Sequence, residues 1–156
     1  MAADLFTIRS AAADELEALL PFLRLLFTIE ADFHYDHERQ LRGLTLLYGD
    51  ANSEILVAVD RGKIIGMVTG QLPISTSEGG PSLLVEDLVV TPKYRGQGVG
   101  RKLLEAIGNW GHTRGARRMQ LLADLENLSA LRFYDSISWQ RTQLICLRQF
   151  HPITTK

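Results

Sequence analysis

The sequence has a single cysteine among 156 residues. An internal disulfide is excluded, and no Cys/His pair shows the close spacing of a structural zinc site. That count suits a reducing compartment. Cys146 lies in Leu144-Ile145-Cys146-Leu147, the setting of a small buried hydrophobe rather than a nucleophile, so it receives no catalytic role. No apolar run is long enough to span a bilayer, and Met1-Ala2-Ala3-Asp4 offers no basic stretch followed by an apolar one. A cytoplasmic protein without a membrane partner is expected. Neither sign of charge dominates: 17 Lys and Arg face 18 Asp and Glu, for a net charge of −1. The counterion release that drives nucleic-acid binding has no whole-chain source, and no nucleic-acid partner is expected. Linkers, repeats and low-complexity tracts are also missing, which predicts one domain over residues 1–156.

What is present is an ordinary globular mixture. With 46% hydrophobic and 22% charged residues, a chain of about this length buries roughly two thirds of its unfolded surface, enough for a core without metal or disulfide support. Leu5-Phe6-Thr7-Ile8-Arg9 predicts a strand, and leucines at 16, 19, 20, 23 and 26 predict a helix. Pro21 removes a donor there and predicts a kink or a late start. Leu41, Leu44 and Tyr48 mark a second helix. Apolar runs at 55–59 and 64–68 flank Asp60-Arg61-Gly62-Lys63, a hairpin signal. After a Gly/Ser/Pro-rich turn at 73–81, residues 83–90 predict a third antiparallel strand. Val99, Leu103, Ile107 and Trp110 form a helical stripe that Gly115 closes, and 119–123 predicts a strand parallel to 83–90 by a right-handed crossover. Ala130, Phe133, Tyr134 and Ile137 make a short helical face, and 142–150 alternates as a terminal strand. The fold class is mixed α/β.

Between that third strand and its helix stands Thr91-Pro92-Lys93-Tyr94-Arg95-Gly96-Gln97-Gly98-Val99-Gly100-Arg101-Lys102. Glycines at alternate positions let the backbone approach a ligand, and a helix starting here points unpaired amides at an anion. A phosphate or pyrophosphate is the inference, with Arg95, Arg101 and Lys102 adding positive charge. Two familiar phosphate motifs fail by counting. A Walker loop needs Gly-Lys at the fifth and sixth positions after its first glycine, where Arg101 and Lys102 stand after Gly96. The dinucleotide fingerprint needs a third glycine where Arg101 stands.

The segment resembles motif A of the GNAT superfamily of N-acetyltransferases: Gln or Arg, two free positions, Gly, one free position, then Gly or Ala. Arg95-Gly96-Gln97-Gly98-Val99-Gly100 matches at every fixed position, after a strand and before a helix. Farther on, Asn127-Leu128-Ser129-Ala130-Leu131-Arg132-Phe133-Tyr134 resembles the family's second region. Where the family often has Gly-Phe after that helix, this chain has Ser138-Trp139. The resemblance implies a central mixed sheet with an antiparallel amino-terminal part, a parallel strand pair that splays at the coenzyme cleft, and helices on both faces. It implies acetyl-CoA as cosubstrate and no metal. Its pyrophosphate would rest on Gln97, Gly98, Val99, Gly100 and Arg101, with Arg95 and Gly96 completing the loop, its pantetheine arm beside Leu88, Val89 and Val90, and Asn127 in contact.

Transfer to an amine requires removal of a proton from the nucleophile, stabilisation of the oxyanion and a proton for the departing thiolate. Period two puts Glu86 on one face with Leu88 and Val90 and turns Asp87 the other way. Glu86 resembles the family's water-mediated base; the alternative is an ordinary charged residue on a wet strand. Asp87 is expected to bind substrate or support structure, and the Val89 amide to face the oxyanion. Tyr134 matches the family's acid; the alternative is a packed ring with a satisfied hydroxyl. Asn127 could equally be a helix cap. Glu30, Asp32, Asp36 and Glu38 crowd the connection between the first two helices, and this acidic rim would attract a cation, with Asp32 and Asp36 as substrate contacts. His34 and His37 share that stretch without implying a metal. The expected partner is a small-molecule amine; a protein amino group and a non-catalytic acyl-CoA module are the alternatives. Pairing through the apolar stretch Leu144 to Phe150 would make a homodimer.

Overall fold

The computed structural model describes residues 5–30 and 33–151. Its elements follow the predicted order: β1 (Thr7–Ser10), α1 (Leu16–Ile29), α2 (His37–Gly49), β2 (Ser53–Asp60), β3 (Lys63–Gln71), a minor hairpin of β4 (Ile74–Ser75) and β5 (Gly80–Pro81), β6 (Leu83–Val85), β7 (Val89–Val90), α3 (Val99–Thr113), β8 (Met119–Leu121) and α4 (Leu128–Ser136). The principal sheet runs β1-β2-β3-β6-β8, with β7 also pairing β3. The first four strands are antiparallel neighbours, and β6 pairs β8 in parallel across α3. Contacts divide the chain into two units that meet in sequence between Leu121 and Leu122.

In the first unit the sheet carries helices on both faces. Leu16, Leu19, Leu20 and Leu23 of α1 and Leu44 of α2 pack with Ile55, Val57, Met67 and Val89. This is the predicted leucine stripe buried against alternate strand residues. On the other face lie Leu103 and Ile107 of α3, and they approach so closely that a Cβ on Gly70 would stand 2.8 Å from the Ile107 side chain. Glycine at 70 therefore sets the helix-to-sheet distance. The β2–β3 turn puts Arg61 at φ 47° and Gly62 at φ 77°, the left-handed pair that matches strand twist in a two-residue hairpin.

Three expectations are corrected. The late start near Pro21 does not occur, because α1 begins at Leu16 and runs through Pro21; the positions of Pro21 and of Glu17, whose carbonyl loses its partner, are exposed, so the freed group is open to water. The predicted strand at 83–90 is two strands separated by residues 86–88. Residues 142–150 form no strand: Leu144 is 87% and Phe150 83% exposed, because alternation builds a strand only where a neighbour supplies hydrogen bonds. Cys146 is exposed with them.

Candidate active site

The glycine loop is built as its composition requires. Gly96 at φ 73° and Gly98 at φ 83° occupy left-handed conformations, which cost other residues strain through their Cβ. Gly98 caps α3 with its backbone alone, and its carbonyl accepts the Lys102 amide at 3.0 Å. The amides of Val99, Gly100 and Arg101 precede that first helical bond and point out of the helix start. No acidic residue stands in the first turn. Arg95 and Arg101 are exposed around it, so the positive end of the helix dipole is unopposed.

The loop is tied down on three sides. Tyr94 donates to Asp60 Oδ2 at 2.9 Å, Arg95 Nε to the Val90 carbonyl at 3.1 Å, and Gln97 Nε2 to the Lys93 carbonyl at 2.8 Å. Asp60 is the first cause of a raised Tyr94 pKa. Gln97 turns its side chain back into the loop, leaving its main chain for a ligand. A pyrophosphate fits this arrangement of amides, open space and basic side chains.

Just before the loop, the register changes. Val85 lies opposite Gly70 and Val89 opposite Met67, so Glu86, Asp87 and Leu88 face only Val68 and Thr69. This extra residue is a β-bulge. Beyond it β7 pairs with β3, whereas β8 follows only β6. The parallel pair thus parts where the sequence placed the splay. Thr91 donates to the Ile65 carbonyl at 2.9 Å, and polar groups alternate along a strand, so Val89 also turns its amide to β3. The outward amide is that of Val90, not the Val89 group expected to face an oxyanion.

The bulge also redistributes the two carboxylates. Glu86 is exposed and uses its amide to donate to the Thr69 carbonyl at 3.1 Å. Asp87 is half-buried. Thr69 Oγ1 donates to Asp87 Oδ2 at 2.9 Å and accepts the Asp87 amide at 3.2 Å. Desolvation pushes the Asp87 carboxyl up to about 6, against the lowering hydrogen bond from Thr69 and with a further rise from the Glu86 charge. Thr69 escaped sequence reasoning; its signal is a lone hydroxyl in an otherwise apolar run.

The second unit, taken by itself, holds α4 and the turn after it. Asn127 Oδ1 accepts the Ala130 amide at 3.1 Å, the capping role open to it from sequence. Tyr134 is half-buried, its ring 5.6 Å from that of Trp139 and 5.3 Å from that of Phe133. Ser138 takes φ 67°, keeping the left-handed turn that the expected glycine would make. Trp139 then donates to the Tyr134 carbonyl at 3.1 Å.

The acidic connection has a partly structural explanation. Asp36 caps α2, accepting the Arg39 amide at 2.9 Å. Glu38 is exposed in the first turn of that helix, and Asp32 lies outside the described residues. His37 Nδ1 is 3.4 Å from the Tyr35 hydroxyl.

A sheet that bulges, parts its parallel pair and then opens a glycine-capped helix start is an arrangement that can receive a phosphorylated ligand. The chain belongs to the Acetyltransferase (GNAT) family, which matches residues 16–138. An uncharacterized N-acetyltransferase of Methanocaldococcus jannaschii is 26% identical over 146 residues, covering 90% of this chain and 63% of its own length. The chain thus spans somewhat less than two thirds of that relative. An aminoglycoside N(6')-acetyltransferase type 1 of Salmonella typhimurium is 23% identical over 130 residues, covering 72% of this chain and 89% of its own. Among solved structures, an aminoglycoside N-acetyltransferase in complex with CoA superposes with a TM-score of 0.82 at 19% identity, over 94% of this chain and 95% of its own.

Proposed function

We propose that this chain acts as a single cytoplasmic domain that transfers the acetyl group of acetyl-CoA to a primary amine of a small cationic molecule. The observation that carries the reading is the sequence of bulge, splay and glycine-opened helix within one unit, which sets an anion site directly beyond an unpaired strand edge. Bound acetyl-CoA supplies an acyl group activated as a thioester. Gln97, Gly98, Val99, Gly100 and Arg101 hold its pyrophosphate through backbone amides, with Arg95 and Arg101 adding charge. Leu88 and Val90 line the strand edge beside the pantetheine arm, to which the outward Val90 amide is offered; the Leu88 amide donates to the Glu86 carbonyl at 2.8 Å and the Val90 carbonyl accepts from Arg95. Asn127 contributes its remaining amide nitrogen.

The acceptor reaches neutral pH as an ammonium of pKa about 10 and must lose a proton before it reacts. Two carboxylates of the bulge divide two tasks, attracting that cation and receiving its proton. Glu86 meets it in solvent, directly or through water, and the acidic stretch with Asp32, Asp36 and Glu38 supports a cationic acceptor. Tyr134 supplies a proton to the departing sulfur; a phenol is a competent donor to a thiolate of pKa about 8.5. The names of the Salmonella relative and of the CoA-bound neighbour support a small molecule with several amines. The exposed apolar residues Leu144, Ile145, Leu147 and Phe150 support pairing of two copies, which light scattering tests: a monomer at high concentration rejects it.

Thiol release from acetyl-CoA over a panel of aminoglycosides, polyamines and lysine peptides tests the function. Release that depends on a small amine supports it. Preference for the peptides redirects the reading to protein amino groups, and tight coenzyme binding without acceptor-dependent release reduces the chain to an acyl-CoA-binding module.

A further inference from the structure

Building on the acetyl transfer proposed above, we propose that Asp87 is the proton acceptor for the incoming ammonium and that Thr69 is the residue that positions it. A regular strand through residues 83–90 would carry Glu86 and Asp87 to opposite faces of one surface. The residue inserted opposite Val68 and Thr69 instead leaves Glu86 exposed and seats Asp87 on the Thr69 hydroxyl.

Thr69 is fully buried, at 0% exposure, and its hydroxyl works twice. It accepts the Asp87 amide, so its single proton is free to point at Asp87 Oδ2. One carboxylate oxygen is thereby fixed. The carboxylate also interacts with its own backbone amide, and its other oxygen, Oδ1, takes no hydrogen bond from another side chain among the described residues, so that side of the group is open to an arriving proton.

The surroundings favour the role. On β3 the facing polar group is the uncharged Thr69 hydroxyl, and the buried side of α1, which packs against β3 and β7, consists of Leu16, Leu19, Leu20 and Leu23. The neighbouring Glu86 is the charge that acts on Asp87. Burial raises the carboxyl to about 6, so it remains ionised at neutral pH. It is also about a hundred times more basic than an ordinary aspartate. Exposed Glu86 is better suited to collecting the cation from solvent.

The step is a single proton transfer. One proton passes from the ammonium nitrogen to Asp87 Oδ1, the carboxylate becomes the acid, and the nitrogen keeps the electron pair with which it attacks. The acid returns that proton to water before the next turnover, so no additional reactant is consumed.

The test is the pH dependence of kcat/KM, read as amine-dependent thiol release, for the wild type and for D87N, E86Q, T69V and T69S, with acetyl-CoA affinity measured on each by calorimetry. The wild type should lose activity on a limb near pH 6. D87N should fall by about 10²-fold or more and lose the limb. E86Q should raise KM and keep the limb. T69V should lower kcat by about tenfold and move the limb to higher pH, because the hydrogen bond that favours the carboxylate is gone, while coenzyme affinity holds; T69S should restore both. A limb that survives D87N, or disappears in E86Q, overturns the assignment of Asp87. A T69V profile identical to the wild type overturns that of Thr69. If the wild type binds acetyl-CoA yet releases no thiol with any amine, acetyl transfer itself fails and this proposal falls with it.

Discussion

The Thr69 hydroxyl and the Asp87 carboxylate, 2.9 Å apart, join the middle of β3 to the bulge that ends β6. This pairing has a thermodynamic consequence independent of catalysis. Asp87 titrates near 6 in the folded chain against an ordinary 3.8, so the folded state binds the proton more tightly than the unfolded one. Between pH 4 and 6, roughly, the folded form holds more protons, and stability falls as pH rises through that window. Above it the full cost, about 3 kcal/mol at most, is present.

Asp87→Asn should therefore stabilise the protein at neutral pH by about 1–3 kcal/mol while lowering turnover by about 10²-fold or more. Chemical denaturation at two pH values checks this. The gain should shrink toward pH 4, and a gain of equal size at both pH values contradicts the account.

The glycine loop separates backbone strain from ligand contact. At Gly98 a new Cβ meets nothing within 4 Å, but φ is 83°, so Gly98→Ala should cost about 1–2 kcal/mol of stability. Gly98→Glu adds bulk and negative charge beside the bound pyrophosphate. Calorimetry should find acetyl-CoA affinity lowered at least about tenfold in the glutamate variant and much less in the alanine one. Equal affinity in both would remove the anion site from this loop.

Ser138 holds a left-handed conformation without being glycine. Ser138→Gly relieves that strain and should raise stability by about 1 kcal/mol, measured as a rise in melting temperature of about 2–4 °C. No rise, or a fall, would show that the serine side chain contributes a compensating contact.

Tyr134→Phe keeps the ring that packs near Trp139 and deletes the proton. Turnover should fall on the order of 10²-fold with coenzyme affinity retained. An unchanged rate removes Tyr134 from the acid role.

Local signals in the sequence were decisive wherever the responsible physics is local. The Asp60-Arg61-Gly62-Lys63 hairpin, the α1 leucine stripe and the left-handed glycines of the loop each depend on a few adjacent residues, and each is found where the pattern puts it. The bulge is different. Residues 83–90 are an almost unbroken apolar run, and the extra residue exists only in the register with β3, which no local pattern encodes. The contact between Asp87 and Thr69 was hidden from the sequence for that reason. Residues 142–150 fail in the opposite sense: the alternation is present and the pairing partner is not. Asp36 illustrates a third limit, because a carboxylate three residues before a helical amide is a cap as readily as a substrate contact.

Acetyl transfer to a small amine is tested most directly by following a labelled acetyl group from acetyl-CoA. With wild-type protein and a polycationic amine, the label should appear in an amide on the amine, at a rate proportional to enzyme and strongly reduced by Tyr134→Phe and Asp87→Asn. Label that stays on the coenzyme for every amine offered, while acetyl-CoA binds tightly, would contradict the account.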